Sequence, residues 1–258
     1  MEYNAILYMV NDGIAEIMIN QPEKMNRLSN QVMQEIVHAV RQSKENDAVK
    51  VVIISGAGDK AFCAGADLSN MAQNSILESK KNLSYYAELC LVFHDLNKPS
   101  IAKIRGYALA GGCGLAMLPT FSIASEDARF GLPEINVGMW PMMVMATLFR
   151  TVGKKKGLDH ISTGKIINAH EAEKIGMITK VQTAQELDGY VTELADQLKN
   201  KSGSIFKLGL EAFQNAMDME YHKAIVYLRD QAAILTNTPD SIEGTKAFVE
   251  KRKPKWMT

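Results

Sequence analysis

Cysteine is scarce in this sequence, and so is any imbalance of charge. The 258 residues include three cysteines, Cys63, Cys90 and Cys113, an odd number with no histidine at ligand spacing. That pattern excludes a disulfide framework and a Cys/His zinc site, leaving reduced fillers as the expectation. Lysine plus arginine and aspartate plus glutamate both number 29. No basic stripe is available to displace counterions, so nucleic acid is excluded as a partner. The longest apolar stretches, "VKVVIISGAG" and "GYALAGGCGLAML", fall short of the roughly 20 residues that span a bilayer. No membrane partner is expected. The opening "MEYNAILYMVNDG" lacks the charged-then-apolar pattern of a signal sequence, which suggests a cytoplasmic protein. What is present is a 47% share of apolar side chains, enough for one ordinary globular core with a smaller appended piece.

Periodicity places the elements. "AILYMV" and "IAEIMIN", separated by the turn residues Asn11, Asp12 and Gly13, read as a hairpin. "NRLSNQVMQEIVHAVRQSKEN" spaces Leu28, Val32, Ile36 and Val40 four apart, one stripe of an amphipathic helix. The unbroken "VKVVIISG" has the length and β-branching of a buried strand. Alternation continues through the helix "LSYYAELCLVFHDLNK", the strand "PSIAKIRGYALA", a helix opening at the glycines, and the strand "FSIAS". The fold class is therefore α/β, with helices covering strands. From about Ala169 strands nearly vanish and helix signals follow one another, several with Ser, Thr or Asn at an N-cap. These divide the chain into a core over residues 1–195 and a helical C-terminal region over 196–258.

Two segments have the composition of ligand loops. "GAGDKAFCAGADLSNM" follows a buried strand with glycines and alanines that admit a ligand close to the backbone, ending in a helix start at Asp67. "GYALAGGCGLAM" is a second such loop, with a helix beginning at Gly111. Unpaired N–H groups at a helix start stabilise an oxygen that becomes negative, and two converging donors form an oxyanion hole. About twenty residues on, "PEINVG" carries Glu134 into an apolar setting. Burial among Leu132, Ile135, Val137 and Met139 would raise its pKa toward that of a neutral-pH base.

The ordered segments "AFCAGADL", "IRGYALAGGCGLAM", "ARFGLPEINVG" and "GTKAFVEKRKPKW" resemble those of the crotonase, or enoyl-CoA hydratase/isomerase, superfamily over nearly the whole chain. The resemblance implies a crotonase-like spiral of ββα units and a C-terminal helical trimerisation region, in a homotrimer or a hexamer built as a dimer of trimers. It implies an acyl-CoA or acyl-carrier thioester substrate, with coenzyme A entering as part of the substrate and no separate cofactor or metal. The amides of Ala66 and Gly111 would grip the thioester carbonyl. Ala64, Asp67, Leu68, Gly114, Trp140, Met142 and Lys24 would line the substrate site, with Phe248 and Lys251 of a neighbouring chain meeting the ADP end of coenzyme A.

Hydratases of that family use two glutamates, which the resemblance places at 114 and 134, and Gly114 leaves one of them missing. Neither Cys113 nor Leu115 replaces it as a proton carrier. A lone Glu134 suits isomerisation, in which one carboxylate removes the α proton and returns it at the γ carbon. Trp140 with Met139, Met142, Met143 and Met145 reads as a flexible apolar wall for an acyl chain, Met142 standing where some relatives carry a third acid. Two alternatives stay open. One is a hydratase or other lyase using an unplaced group such as Tyr85, Tyr86 or Glu88. The other is a non-catalytic thioester binder.

Overall fold

A computed structural model describes residues 2–66 and 75–257. The chain opens with the hairpin β1 (Ile6–Asn11) and β2 (Ile14–Ile19), paired in register from Ile6 with Ile19 to Asn11 with Ile14. Its two-residue turn, Asp12 and Gly13, holds both residues at positive φ, the mirror-image turn whose twist matches the strands. Helix α1 (Asn30–Glu45) begins two residues after Leu28, where the apolar stripe starts. Ser29 caps it by accepting from the Val32 amide, and Val32, Ile36 and Val40 turn inward. Leu28 therefore lies outside the helix, bridged to Ala66.

Three turns of one pattern follow, each laying one strand in a large sheet and one in a small sheet before a helix. They are β3 (Val51–Gly56), β4 (Ala61–Cys63) and α2 (Ile76–His94); β5 (Ser100–Ile104), β6 (Tyr107–Leu109) and α3 (Gly111–Met117); then β7 (Phe121–Ser125) and β8 (Arg129–Gly131), leading to α4 (Val144–Thr151) and α5 (Lys154–Thr163). Next come β9 (Ile166–Asn168), α6 (Ala169–Lys174), β10 (Lys180–Gln182), α7 (Leu187–Lys199), α8 (Gly203–Met217), α9 (Tyr221–Thr236) and α10 (Pro239–Val249). The large sheet runs β1-β2-β3-β5-β7-β10 and the small one β4-β6-β8-β9. Strands β4, β6 and β8 are parallel.

The single strand expected over "PSIAKIRGYALA" is two strands in two sheets. Gly106, at a φ of +62°, makes the break. A side chain there would overlap the backbone of Asp59 and Lys60, so the chain crosses between sheets where only glycine fits. Most of the core lies between the sheets and α1, α2 and α3; a smaller cluster joins Val51, Ile53, Ile101 and Ile123 to Leu187, Val191, Ala195 and Leu198 of α7. Helix α7 thus runs unbroken across residue 195. Beyond it, α8 to α10 leave Phe213, Tyr221, Ile225, Ile234 and Phe248 exposed. Among the described residues no helix is long and apolar enough to cross a membrane.

The N-terminus is tied down by Glu35, a buried carboxylate on α1. It accepts from the amides of Asn4, Ala5 and Ile6 at 3.1, 2.8 and 3.1 Å, and from the Gln31 side chain at 2.9 Å. Glu35→Ala strands those donors and should cost about 3 kcal/mol, a melting point lower by about 6–12 °C. Thermal unfolding checks this; a shift under about 1 °C would remove the anchoring role.

Candidate active site

The site grows from the carboxyl ends of the three parallel strands of the small sheet, the usual place for a ligand in α/β sheets. Residues 64–66 follow β4, Ala110 and Gly111 follow β6, and the 3₁₀ turn Pro133–Val137 follows β8. Backbone contacts lock the three together. The Ala110 amide donates to Gly131 O at 2.8 Å, and the Leu28 amide donates to Gly65 O at 2.8 Å. Gly65, at φ +89°, has its Cβ position 2.8 Å from Ala110 Cβ and 3.5 Å from the Gly111 nitrogen. Any larger residue would push the two loops apart.

Ala110 holds φ 52° and ψ −127°, backbone that alanine adopts at a cost of about 1–3 kcal/mol. This residue turns the chain into α3. Ala66 and Gly111 both line one cavity, and neither amide donates to an acceptor among the described residues. Helix α3 has only seven residues, so the local amides matter more here than any long helix dipole.

The cavity, of about 580 Å³, is also lined by Leu28, Met33, Tyr86, Glu134, Trp140 and Met142. Glu134 is its only carboxylate among the described residues. Its side chain is 9% exposed, and Oε2 is buried with no hydrogen-bond partner among the described residues. Burial raises its pKa above the ordinary glutamate value. An unpaired buried carboxylate oxygen is costly and marks a group kept for chemistry.

The direction of that shift agrees with the sequence; the surroundings do not. Leu132 is buried and Met139 half-buried, but Ile135 and Val137 are exposed, because the 3₁₀ turn rotates those two outward. Glu134 instead lies near Tyr86 and Cys113, whose own ionisation its charge opposes. The Cys113 thiol is pushed up to about 12, first by burial and then by Glu134, so it keeps its proton at neutral pH and does not act as a base.

The seat beside Gly114 is not empty. A Cβ on Gly114 would overlap the Tyr86 hydroxyl oxygen and come 2.9 Å from Val144 Cγ2. Gly114 is accordingly buried beneath Tyr86 and does not line the cavity. Tyr86, named from the sequence only as a group without a place, faces two glycines across the fold. Of the other residues named beside it, Glu88 pairs with Arg41 at 2.7 Å and Tyr85 packs against the core without lining the cavity.

Trp140 and Met142 do line the cavity, with Met139 and Met143; Met145 stands behind them, accepting from Trp140 Nε1 at 3.0 Å. Ala64 lies just outside, its amide donating to Met25 O at 3.0 Å. Lys24 is exposed on the 3₁₀ turn Pro22–Lys24, away from the cavity lining. Phe248, 84% exposed, and Lys251 sit at the end of α10, also away from it within one chain. Asp67, Leu68 and the helix start expected at Asp67 lie outside the described residues.

Main-chain donors with no acceptor among the described residues, one buried carboxylate and an apolar wall at the ends of parallel strands define the class: an α/β enzyme that works on a carbonyl compound with an apolar tail. The chain belongs to the enoyl-CoA hydratase/isomerase family, whose profile matches residues 9–258. It is 34% identical over 259 residues to the crotonyl-CoA hydratase of Syntrophomonas wolfei, covering 100% of each chain. The enoyl-CoA hydratase structure from Mycobacterium smegmatis superposes with a TM-score of 0.95 at 28% identity, covering 99% of this chain and 100% of that one. The enoyl-CoA hydratase structure from Bacillus anthracis gives 0.92 at 30% identity, over 97% and 98%. The fold is the crotonase fold, and the family acts on acyl-CoA thioesters.

Because the folded state raises the Glu134 pKa, folding favours its protonated form. The stability this carries is fully present below the ordinary value of 4.5 and is lost as pH rises through the raised value. Glu134→Gln removes the burden of an ionised buried group. At pH 7 the variant should melt above the parent, with the difference shrinking toward pH 4; equal melting at both pH values would contradict the burial argument.

Proposed function

We propose that this enzyme moves a single proton on an acyl-CoA thioester, shifting a 3-enoyl double bond to the 2-position with Glu134 as sole general base and acid. The ionised carboxylate takes the α proton, and the electron pair moves through the carbonyl onto oxygen as a dienolate. The amides of Ala66 and Gly111 stabilise that oxygen, and Glu134 returns the proton at the γ carbon, so that no atom is gained or lost. The reading is carried by one observation: the Tyr86 hydroxyl takes the volume where a second acid at 114 would begin, leaving Glu134 the one carboxylate lining the cavity among the described residues. Trp140, Met142 and Met143 would face the acyl chain.

The remaining assignments extend the reading. Ala64 borders the thioester, Lys24 meets the coenzyme A moiety, and Phe248 and Lys251 reach the ADP end in a neighbouring chain of a trimer or hexamer. The exposed apolar residues of α8 to α10 favour such an assembly, since patches of that kind mark association surfaces. The hydratase names of the relatives favour a second reading, water addition to a 2-enoyl thioester.

Incubation with 3-enoyl- and 2-enoyl-CoA in deuterated water, followed by mass spectrometry, separates the two. Deuterium entering without a gain of water supports isomerisation; rapid formation of 3-hydroxyacyl-CoA supports hydration. Glu134→Gln should lower kcat by about 10³-fold or more while leaving thioester binding within a few-fold, and retained turnover would end the proposal. In the parent, kcat/KM should fall as pH drops through an apparent pKa above the ordinary glutamate range. Gly65→Ala, by parting the two loops, should cost about 10²–10³-fold in kcat, and a wild-type kcat would dissociate those amides from catalysis.

A further inference from the structure

Tyr86 is a polar group in the cavity that the one-carboxylate scheme does not use. It stands within α2, 7% exposed, with its ring laid across the first turn of α3. A Cβ on Gly111 would lie 3.2 Å from Tyr86 Cε2, and one on Gly114 would meet the hydroxyl oxygen and, at 3.4 Å, Cζ. Residues 111 and 114 share a helix face, three apart, so one ring requires both glycines. The hydroxyl donates to Gly111 O at 3.0 Å, which fixes the ring and commits the proton. Burial, then the nearby Cys90, Cys63, Cys113 and Glu134, holds the phenol neutral far past physiological pH. Such a group neither removes a proton from water nor delivers one to a substrate carbon. It does fill space.

We propose that Tyr86 is the specificity-determining residue of this site: its phenol, wedged over Gly111 and Gly114 and opposite Glu134, occupies the position from which a second acid would activate water, and so confines the enzyme to proton shuttling. The inference rests on the single-carboxylate reading of Glu134. Hydration adds hydroxyl at the β carbon and hydrogen at the α carbon, which calls for a group to hold and deprotonate the water while another supplies the proton. The other polar side chains lining the cavity among the described residues are Ser29, Asn30, Ser79 and Asn82, none a base at neutral pH. The glycines and the tyrosine are therefore one unit, and changing only one member gains nothing.

The test compares the parent, Gly114→Glu, Tyr86→Ala and the Tyr86→Ala/Gly114→Glu pair. Each is given 3-enoyl- and 2-enoyl-CoA, and isomer and 3-hydroxyacyl products are counted by mass spectrometry. Gly114→Glu alone should melt lower by roughly 2–12 °C and yield no hydration. The pair should raise the ratio of 3-hydroxyacyl product to isomer at least about tenfold over the parent. Hydration by Gly114→Glu alone, or an unchanged ratio in a folded pair, overturns the inference.

Should the pair fail to fold, Gly114→Ala is introduced into the parent and into Tyr86→Phe. Removing the hydroxyl should recover at least about half of the melting loss, and equal losses in both backgrounds overturn the inference. Glu134→Gln runs in parallel. Turnover that survives it sinks the single-carboxylate reading, whereas turnover lost with a product ratio that never moves sinks only the role of Tyr86.

Discussion

The parallel alignment of β4, β6 and β8 is the constraint on which the site depends. Each turn of the spiral advances the chain by one strand in the small sheet, so three segments far apart in sequence end at the same edge. A hydrogen bond from Ala110 N–H to Gly131 O ties the second segment to the third, and one from Leu28 N–H, just before α1, anchors Gly65 O in the first, so the loops hold fixed separations. Side chains would be poor tools for this task, since rotamer freedom exceeds the tolerance of a catalytic hydrogen bond. Main-chain amides set by a sheet lack that freedom. The close approach of Gly65 to Ala110 and Gly111 is the direct consequence.

The energetic pattern is consistent with a site that stores unfavourable terms and a frame that offsets them. Ala110 holds a strained backbone, Glu134 keeps a buried oxygen unpaired, and the amides of Ala66 and Gly111 go unanswered among the described residues. Each is a local cost. Around them stand a buried core between two sheets and the fully satisfied carboxylate of Glu35. The contrast between these two buried glutamates is instructive. One is surrounded by donors and ties structure together; the other is buried with one oxygen left without them, so its proton affinity rises. Stability and activity draw opposite things from the same chemical group.

Tyr86 adds a lesson about absence. A missing acid at 114 looks, along the chain, like a loss. In three dimensions it is half of a complementary pair, because the ring of Tyr86 and the bare faces of Gly111 and Gly114 fit together. Close-packed interiors seldom leave such a vacancy unfilled. A residue's meaning there depends on what its neighbour has grown into.

Much of the frame was legible in the sequence for physical reasons. Period-2 and period-3.6 patterns report burial directly, so the opening hairpin, α1, β3 and the C-terminal helices could be read from "AILYMV", "QVMQEIVHAV", "VKVVIISG" and the helical runs after Ala169. The four ordered motifs marked the family, and the burial of Glu134 with its raised pKa could be read from its place in an apolar run. Tertiary structure alone decided the rest. It split "PSIAKIRGYALA" between two sheets at Gly106, turned Ile135 and Val137 to solvent, and filled the seat beside Gly114 with a phenol from a helix some 28 positions earlier in the chain. Pattern along a chain encodes whether a residue is buried; which distant residue meets it there is set by the strand order and the close approach of backbones, which no local pattern carries.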